Sequence, residues 1–142
     1  MIEIRRSAIV RYTAEQMFAL VNDVEAYPRR FAWCASAAVL DRDAGALTAR
    51  LELRIAGVRT QFITRNTLDP PRRIDLRLVE GQFRQLSGGW DFIALGDGCK
   101  VALQLDFDYS GKLLAPVVRT GFQKLADRMV DEFCREAERA YG

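Results

Sequence analysis

From residue 47 to residue 109 the apolar side chains of this chain fall on every second position, and from residue 118 onward on every third or fourth. Leu47, Ala49, Leu51, Leu53 and Ile55 alternate with Thr48, Arg50, Glu52 and Arg54, the pattern of a strand with one wet face. A tight turn at Ala56-Gly57 leads to a strand from Val58 to Leu68, ended by Asp69-Pro70-Pro71. Ile74, Leu76 and Leu78 alternate next, and Gly81 separates them from a strand over Phe83 to Ile93, where Leu86, Trp90 and Phe92 share a parity. Gly96-Asp97-Gly98 reads as a hairpin turn before Val101, Leu103, Leu105, Phe107 and Tyr109. Then Val118, Phe122, Leu125, Met129, Phe133 and Ala137 step by 4, 3, 4, 4 and 4, with charged residues on the other side. That spacing predicts one long amphipathic helix from about Ala115 to Ala140, with Pro116 suited to its first turn.

The segment before residue 47 is more varied. Ile2, Ile4, Ala8 and Val10 share a parity that Arg6 interrupts, which predicts a strand over Ile2 to Tyr12. Thr13-Ala14-Glu15-Gln16 fits a capping box, so a helix is expected from Ala14 to Asn22. Asp23 then caps a second short helix that ends near Tyr27, because Pro28 disfavours α geometry in the residue before it. A short strand over Ala37 to Leu40 precedes a turn at Asp41-Arg42-Asp43-Ala44-Gly45. The order is therefore strand, two short helices, six strands, one long helix. Hairpin-length joins make the sheet antiparallel, with about seven strands. A sheet with one apolar face and a helix with one apolar stripe satisfy each other when the sheet curves around the helix. The expected architecture is an α+β fold in one domain spanning residues 1–142.

The chain has no histidine, which excludes a Ser-His-Asp or Cys-His relay and any histidine-bearing metal site. Cys34, Cys99 and Cys134 are odd in number, scattered and without CxxC spacing. They read as reduced thiols of a cytoplasmic protein, and no metal is expected. No apolar run approaches the roughly 20 residues of a membrane span. Met1-Ile2-Glu3-Ile4-Arg5-Arg6 has no apolar stretch behind a basic start, so no secretory signal is expected. Net charge is only +2, but the excess is uneven: residues 1–84 hold 14 Arg against 10 acids, and residues 85–142 hold 7 basic residues against 9 acids. That balance permits a phosphate-rich partner without demanding one.

Few residues suggest chemistry. Asp106 and Asp108 share a strand face as a possible carboxylate pair, or as ordinary solvated surface. Gly88-Gly89 inside a strand marks a bulge or a close approach of another segment. Tyr27, Pro28, Phe31 and Trp33 crowd a loop between helix and strand, where they either cover the core or line the mouth of a cavity. The large apolar residues of sheet and helix either pack together or leave such a cavity between them; alternation is silent on which.

Several blocks carry a family resemblance. The opening runs Ile4-x-Arg6-Ser7-Ala8-x-Val10-x-Tyr12, then Ala14-Glu15-Gln16-Met17-Phe18-x-Leu20-Val21-x-Asp23-Val24-Glu25-x-Tyr27-Pro28. Thr64-Arg65-Asn66, Gly81-x-Phe83-x-x-Leu86-x-Gly88-x-Trp90-x-Phe92, Leu105-Asp106-Phe107 and Phe122-x-x-Leu125-Ala126-x-x-Met129-Val130-x-x-Phe133 follow. Together they resemble the START-like family of bacterial RatA-type proteins and mitochondrial coenzyme Q-binding proteins, classed with the polyketide cyclase/dehydrase superfamily. The resemblance implies the helix-grip fold, with a tunnel between sheet and helix. It implies a non-catalytic binding protein for an isoprenoid lipid, ubiquinone or a similar quinone, in support of respiration, with no catalytic residue and no cofactor. The alternative it implies is a toxin-like inhibitor of translation that associates with the large ribosomal subunit. Three positions depart from the family pattern: Arg30 stands where an aromatic is common, and Ala32 and Gln82 where a proline is.

With that fold, the tunnel lining is expected from Leu51, Leu53, Phe62, Leu76, Leu78, Trp90, Leu103, Leu105, Phe122, Leu125, Met129 and Phe133, and the mouth from Tyr27, Pro28, Phe31 and Trp33. Arg29, Arg30, Arg72 and Arg73 are either solvated loop residues or, in the ribosome-associated alternative, the contacts to ribosomal RNA; DNA is not an expected partner. The expected location is the cytoplasm, with transient contact at the inner membrane surface for lipid exchange.

Overall fold

In the computed structural model, residues 1–110 and 115–142 are described. Strand β1 (Ile2–Val10) is followed by helix α1 (Ala14–Asn22), a 3₁₀ turn (Val24–Ala26) and the short helix α2 (Tyr27–Arg30). Six strands come next: β2 (Cys34–Asp43), β3 (Ala46–Ile55), β4 (Val58–Asp69), β5 (Arg73–Glu80), β6 (Phe83–Leu95) and β7 (Gly98–Tyr109). Helices α3 (Pro116–Asp127) and α4 (Met129–Tyr141) close the chain. The strands form one curved antiparallel sheet in the order β1-β7-β6-β5-β4-β3-β2, wrapped around the C-terminal helices. This is the α+β helix-grip arrangement that the two hydrophobic periods predict.

The capping box at α1 is present in both halves: Gln16 N–H donates to Thr13 Oγ1 at 3.1 Å, and Thr13 N–H to Gln16 Oε1 at 2.9 Å. Inward parities hold along the strands. Leu47, Ala49, Leu53 and Ile55 of β3 are buried, as are Val101, Leu103, Leu105 and Phe107 of β7. In β6 a register shift between Phe83 and Gln85 adds one residue. Odd-numbered Phe83 and even-numbered Leu86 can therefore both turn inward and be buried. Gly88 marks a close approach rather than a bulge: a Cβ there would run into the Gln104 carbonyl oxygen of β7.

Four local expectations need correction. The helix predicted as continuous from Ala115 to Ala140 is interrupted at Arg128, whose φ of −106° and ψ of 9° lie outside the helical basin. The 19 steps from Val118 to Ala137 turn a straight helix about 100° past five whole turns. An unbroken helix would thus carry that apolar line off the sheet, and the interruption falls within it. The second short helix does not end at Tyr27; a new one begins there. Pro28 sits in its first turn, where a missing N–H costs nothing. Tyr27 takes α geometry because its ring is locked in the core and its hydroxyl donates to the Val21 carbonyl. Strand β2 is longer than Ala37 to Leu40, since it pairs with β3 from Cys34 to Asp43 and leaves only Ala44-Gly45 as the turn. Strand β1 stops at Val10, two residues short of Tyr12.

Candidate functional site

The inward faces of β3 to β7 do not close on α3 and α4 along their whole length. A cavity of about 110 Å³ remains between them. Leu51 and Leu53 of β3, Phe62 of β4, Leu76 of β5, Trp90 of β6, and Leu103 and Leu105 of β7 line its sheet side. Phe122, Leu125, Met129 and Phe133 line its helix side. Leu78 does not line it. The β4–β5 register shifts beside its partner Thr64, and Leu78 packs toward Gly81 instead.

The walls also include residues outside the expected lining. Val24, Ala49, Leu86 and Ala126 contribute apolar surface. Thr64 and Asn66 contribute polar groups from β4, both 6% exposed. Their polarity hid them, yet the signal was available. Thr60, Phe62, Thr64 and Asn66 share one parity, so placing Phe62 inward places the other three inward too. Thr64 donates its hydroxyl hydrogen to Asn66 Oδ1 at 2.8 Å.

The aromatic loop is a wall rather than an open mouth. Tyr27 and Trp33 are buried and line the cavity; Phe31 is buried behind them, and only Pro28 is exposed. Phe31 stacks on Trp33 and meets Phe133 edge-on, both with ring centroids 4.8 Å apart. Polar ties hold this wall to α4. Trp33 Nε1–H donates to Glu132 Oε1 at 2.9 Å. Arg30 donates to Glu136 at 2.9 Å, and Arg139 bonds the same carboxylate. Glu136 is 5% exposed, and its bonds to Arg139 and then Arg30 outweigh burial and hold its pKa below the usual value.

Arg30 is therefore not a free surface cation, because its partner is a buried acid. Nor is Arg73, which pairs with Asp75 at 2.7 Å and Asp91 at 2.8 Å. Arg72 is exposed and meets exposed Asp69 at 3.3 Å, a surface pair of little weight. Arg29 is exposed. Asp106 accepts from Arg5 and Gln104, while Asp108 lies 3.8 Å from Arg84. The two carboxylates thus have separate cationic neighbours on the outer face.

The cavity offers little to reaction chemistry. Tyr27 is the one titratable group among its lining residues, and burial pushes its phenol far up. Burial also raises the three thiols, Cys34 and Cys134 to about 11, so they stay protonated near neutral pH. Among the described residues no group of histidine, cysteine or acid side chains is placed to hold a metal ion, and no helix is long and apolar enough to cross a membrane.

Known proteins share this plan. Ribosome association toxin RatA from Pseudomonas aeruginosa is 40% identical over 140 residues, covering 98% of this chain and 97% of that one. Coenzyme Q-binding protein COQ10 homolog B, mitochondrial, from Xenopus laevis is 25% identical over 146 residues, covering 99% of this chain and 60% of that one. The crystal structure of the Zhui aromatase/cyclase from Streptomyces sp. R1128 superposes with a TM-score of 0.85 at 23% identity, covering 99% and 96% of the two chains, a likeness of fold alone. Residues 10–134 match the pattern of polyketide cyclase / dehydrase and lipid transport proteins. With nearly the whole chain matched, it belongs to that family, among the START-like proteins that its opening block resembles.

Proposed function

We propose that this protein is a non-catalytic carrier that holds an isoprenoid quinone of the ubiquinone type in its cavity and so supports respiration. The observation that carries this reading is the apolar cavity between the sheet and the C-terminal helices. Burying each CH₂ of a lipid there contributes about 0.8 kcal/mol, so two isoprene units supply roughly 8 kcal/mol before the cost of ordering is subtracted. At about 110 Å³ the cavity is smaller than the roughly 300–1,000 Å³ of most ligand sites, so in this reading it takes one end of such a molecule and the remainder lies toward the opening. A lining without an acid–base pair supports binding rather than turnover. The name of the Xenopus relative points the same way. In this reading the protein works in the cytoplasm and takes its lipid from the membrane surface.

The name of the P. aeruginosa relative supports a second reading, association with the ribosome, which needs an outer surface and leaves the cavity free. Mass spectrometry of lipids extracted from the purified protein tests the first: a quinone is expected, and a protein without lipid that co-sediments with large subunits would instead favour the second. Leu125→Trp adds bulk to the cavity wall without charge. It should fold and lose at least tenfold in affinity for decylubiquinone; unchanged affinity would place the quinone elsewhere.

A further inference from the structure

Asn66 is the exception in an apolar wall. It is 6% exposed, lines the cavity from the middle of β4, and has Leu47 and Leu76 as its cross-strand neighbours. Its amide oxygen accepts the Thr64 hydroxyl at 2.8 Å, which leaves the amide nitrogen on the other side. Thr64 provides the only hydrogen bond to this side chain among the described residues. Two amide hydrogens thus stand beside a space whose other walls are aromatic and aliphatic. The amide hydrogens have no partner among the described residues, whereas a leucine at this position would complete the apolar lining with no donor to satisfy.

We propose that Asn66, oriented by Thr64, is the specificity-determining donor of the cavity. It accepts only those lipids that bring a carbonyl oxygen to the buried end, so the ring of the ligand enters and the tail trails toward the opening. This rests on the lipid-binding reading above and adds to it the polar contact and the direction of entry. The oxygen is that of a quinone ring. A hydrocarbon of the same shape leaves the amide unpaired and binds less well.

The test uses decylubiquinone and decylbenzene, which share a six-membered carbon ring and a ten-carbon tail; the quinone adds two carbonyls, two methoxy groups and a methyl, and only its oxygens can accept from an amide. Each competes for the wild-type protein with the neutral apolar dye N-phenyl-1-naphthylamine. Decylubiquinone is expected to bind at least tenfold more tightly than decylbenzene. Asn66→Leu should remove most of that preference by weakening the quinone and leaving decylbenzene unchanged or tighter. Thr64→Val, which frees the amide to turn, should reduce the preference about threefold. Equal binding of the two ligands by the wild type, or an unchanged preference in Asn66→Leu, overturns the inference while the cavity remains a lipid site. Displacement of the dye by neither ligand overturns the lipid-binding reading along with it. Should Asn66→Leu not fold, the wild-type ratio and Thr64→Val decide.

Discussion

Glu136 shows how one residue can couple the cavity wall to pH. It lies on the buried side of α4, and its carboxylate is shared by Arg30 of α2 and Arg139 one turn on. Because these bonds hold its pKa below 4.5 in the folded protein, its contribution to stability is fully present above pH 4.5 and is lost as pH falls through the lower folded value. Glu136→Gln should cost about 1–3 kcal/mol at pH 7 by weakening charge-assisted bonds. The gap from wild type should narrow by pH 3, as urea midpoints at the two pH values will show. An equal gap at both would mean that the bonds are worth no more charged than neutral. Asn66 is a residue-scale feature of the opposite kind: its partner inside the protein satisfies its acceptor and leaves its donors for something else.

Among the elements, β6 and β7 set the tightest tolerance. They pair from Phe83–Tyr109 to Leu95–Gly98, and the Gln104 carbonyl oxygen stands 2.0 Å from where a Cβ at Gly88 would sit. The obstacle is backbone, which cannot swing aside as a side chain can. Gly88→Ala should therefore destabilise by about 1–3 kcal/mol, read as a lower urea midpoint at unchanged slope. Gly45→Ala at the β2–β3 turn is the control, since a Cβ there meets nothing within 4 Å. It should stay within about 0.5 kcal/mol of wild type. The interruption at Arg128 has a different origin: two helical segments keep Phe122 and Leu125 on one side, and Met129 and Phe133 on the other, in contact with one cavity.

At the scale of the whole molecule, the concave interior and the charged exterior are separable. Quinone held by apolar burial releases no counterions, so its affinity should change little between 50 and 500 mM salt. RNA held by arginine should be released steeply over the same range, because each neutralised phosphate adds to the slope of log affinity against log salt. Arg29 and Arg72 are the two of the four proposed RNA contacts that can be replaced without breaking the bond to buried Glu136 or the two ion pairs of Arg73. Arg29→Gln with Arg72→Gln should weaken ribosome co-sedimentation and reduce its salt slope by up to about 2, leaving decylubiquinone titration unaltered. Unaltered co-sedimentation would assign those arginines to solvated surface.

The periods of two and 3.6, the capping box at Thr13 and the turn glycines were enough to place almost every element and to require a sheet wrapped around a C-terminal helix. These are local properties: alternation reports which side of a strand is apolar, and that follows from the backbone geometry of the strand itself. The absence of histidine likewise removes whole classes of chemistry. Whether two apolar faces meet or leave a cavity is not local, because it depends on how far the sheet coils, which bulges and close glycine contacts control. Nor is the state of a charge. Arg30 and Glu136 are 106 positions apart, and only the docking of α2 on α4 turns a candidate surface arginine into the partner of a buried acid. The same holds for Tyr27, whose local preference before Pro28 gives way to a ring packed against Phe133. It holds too for Asn66, polar in sequence, which the curvature of β4 and its neighbours brings to the wall of the cavity.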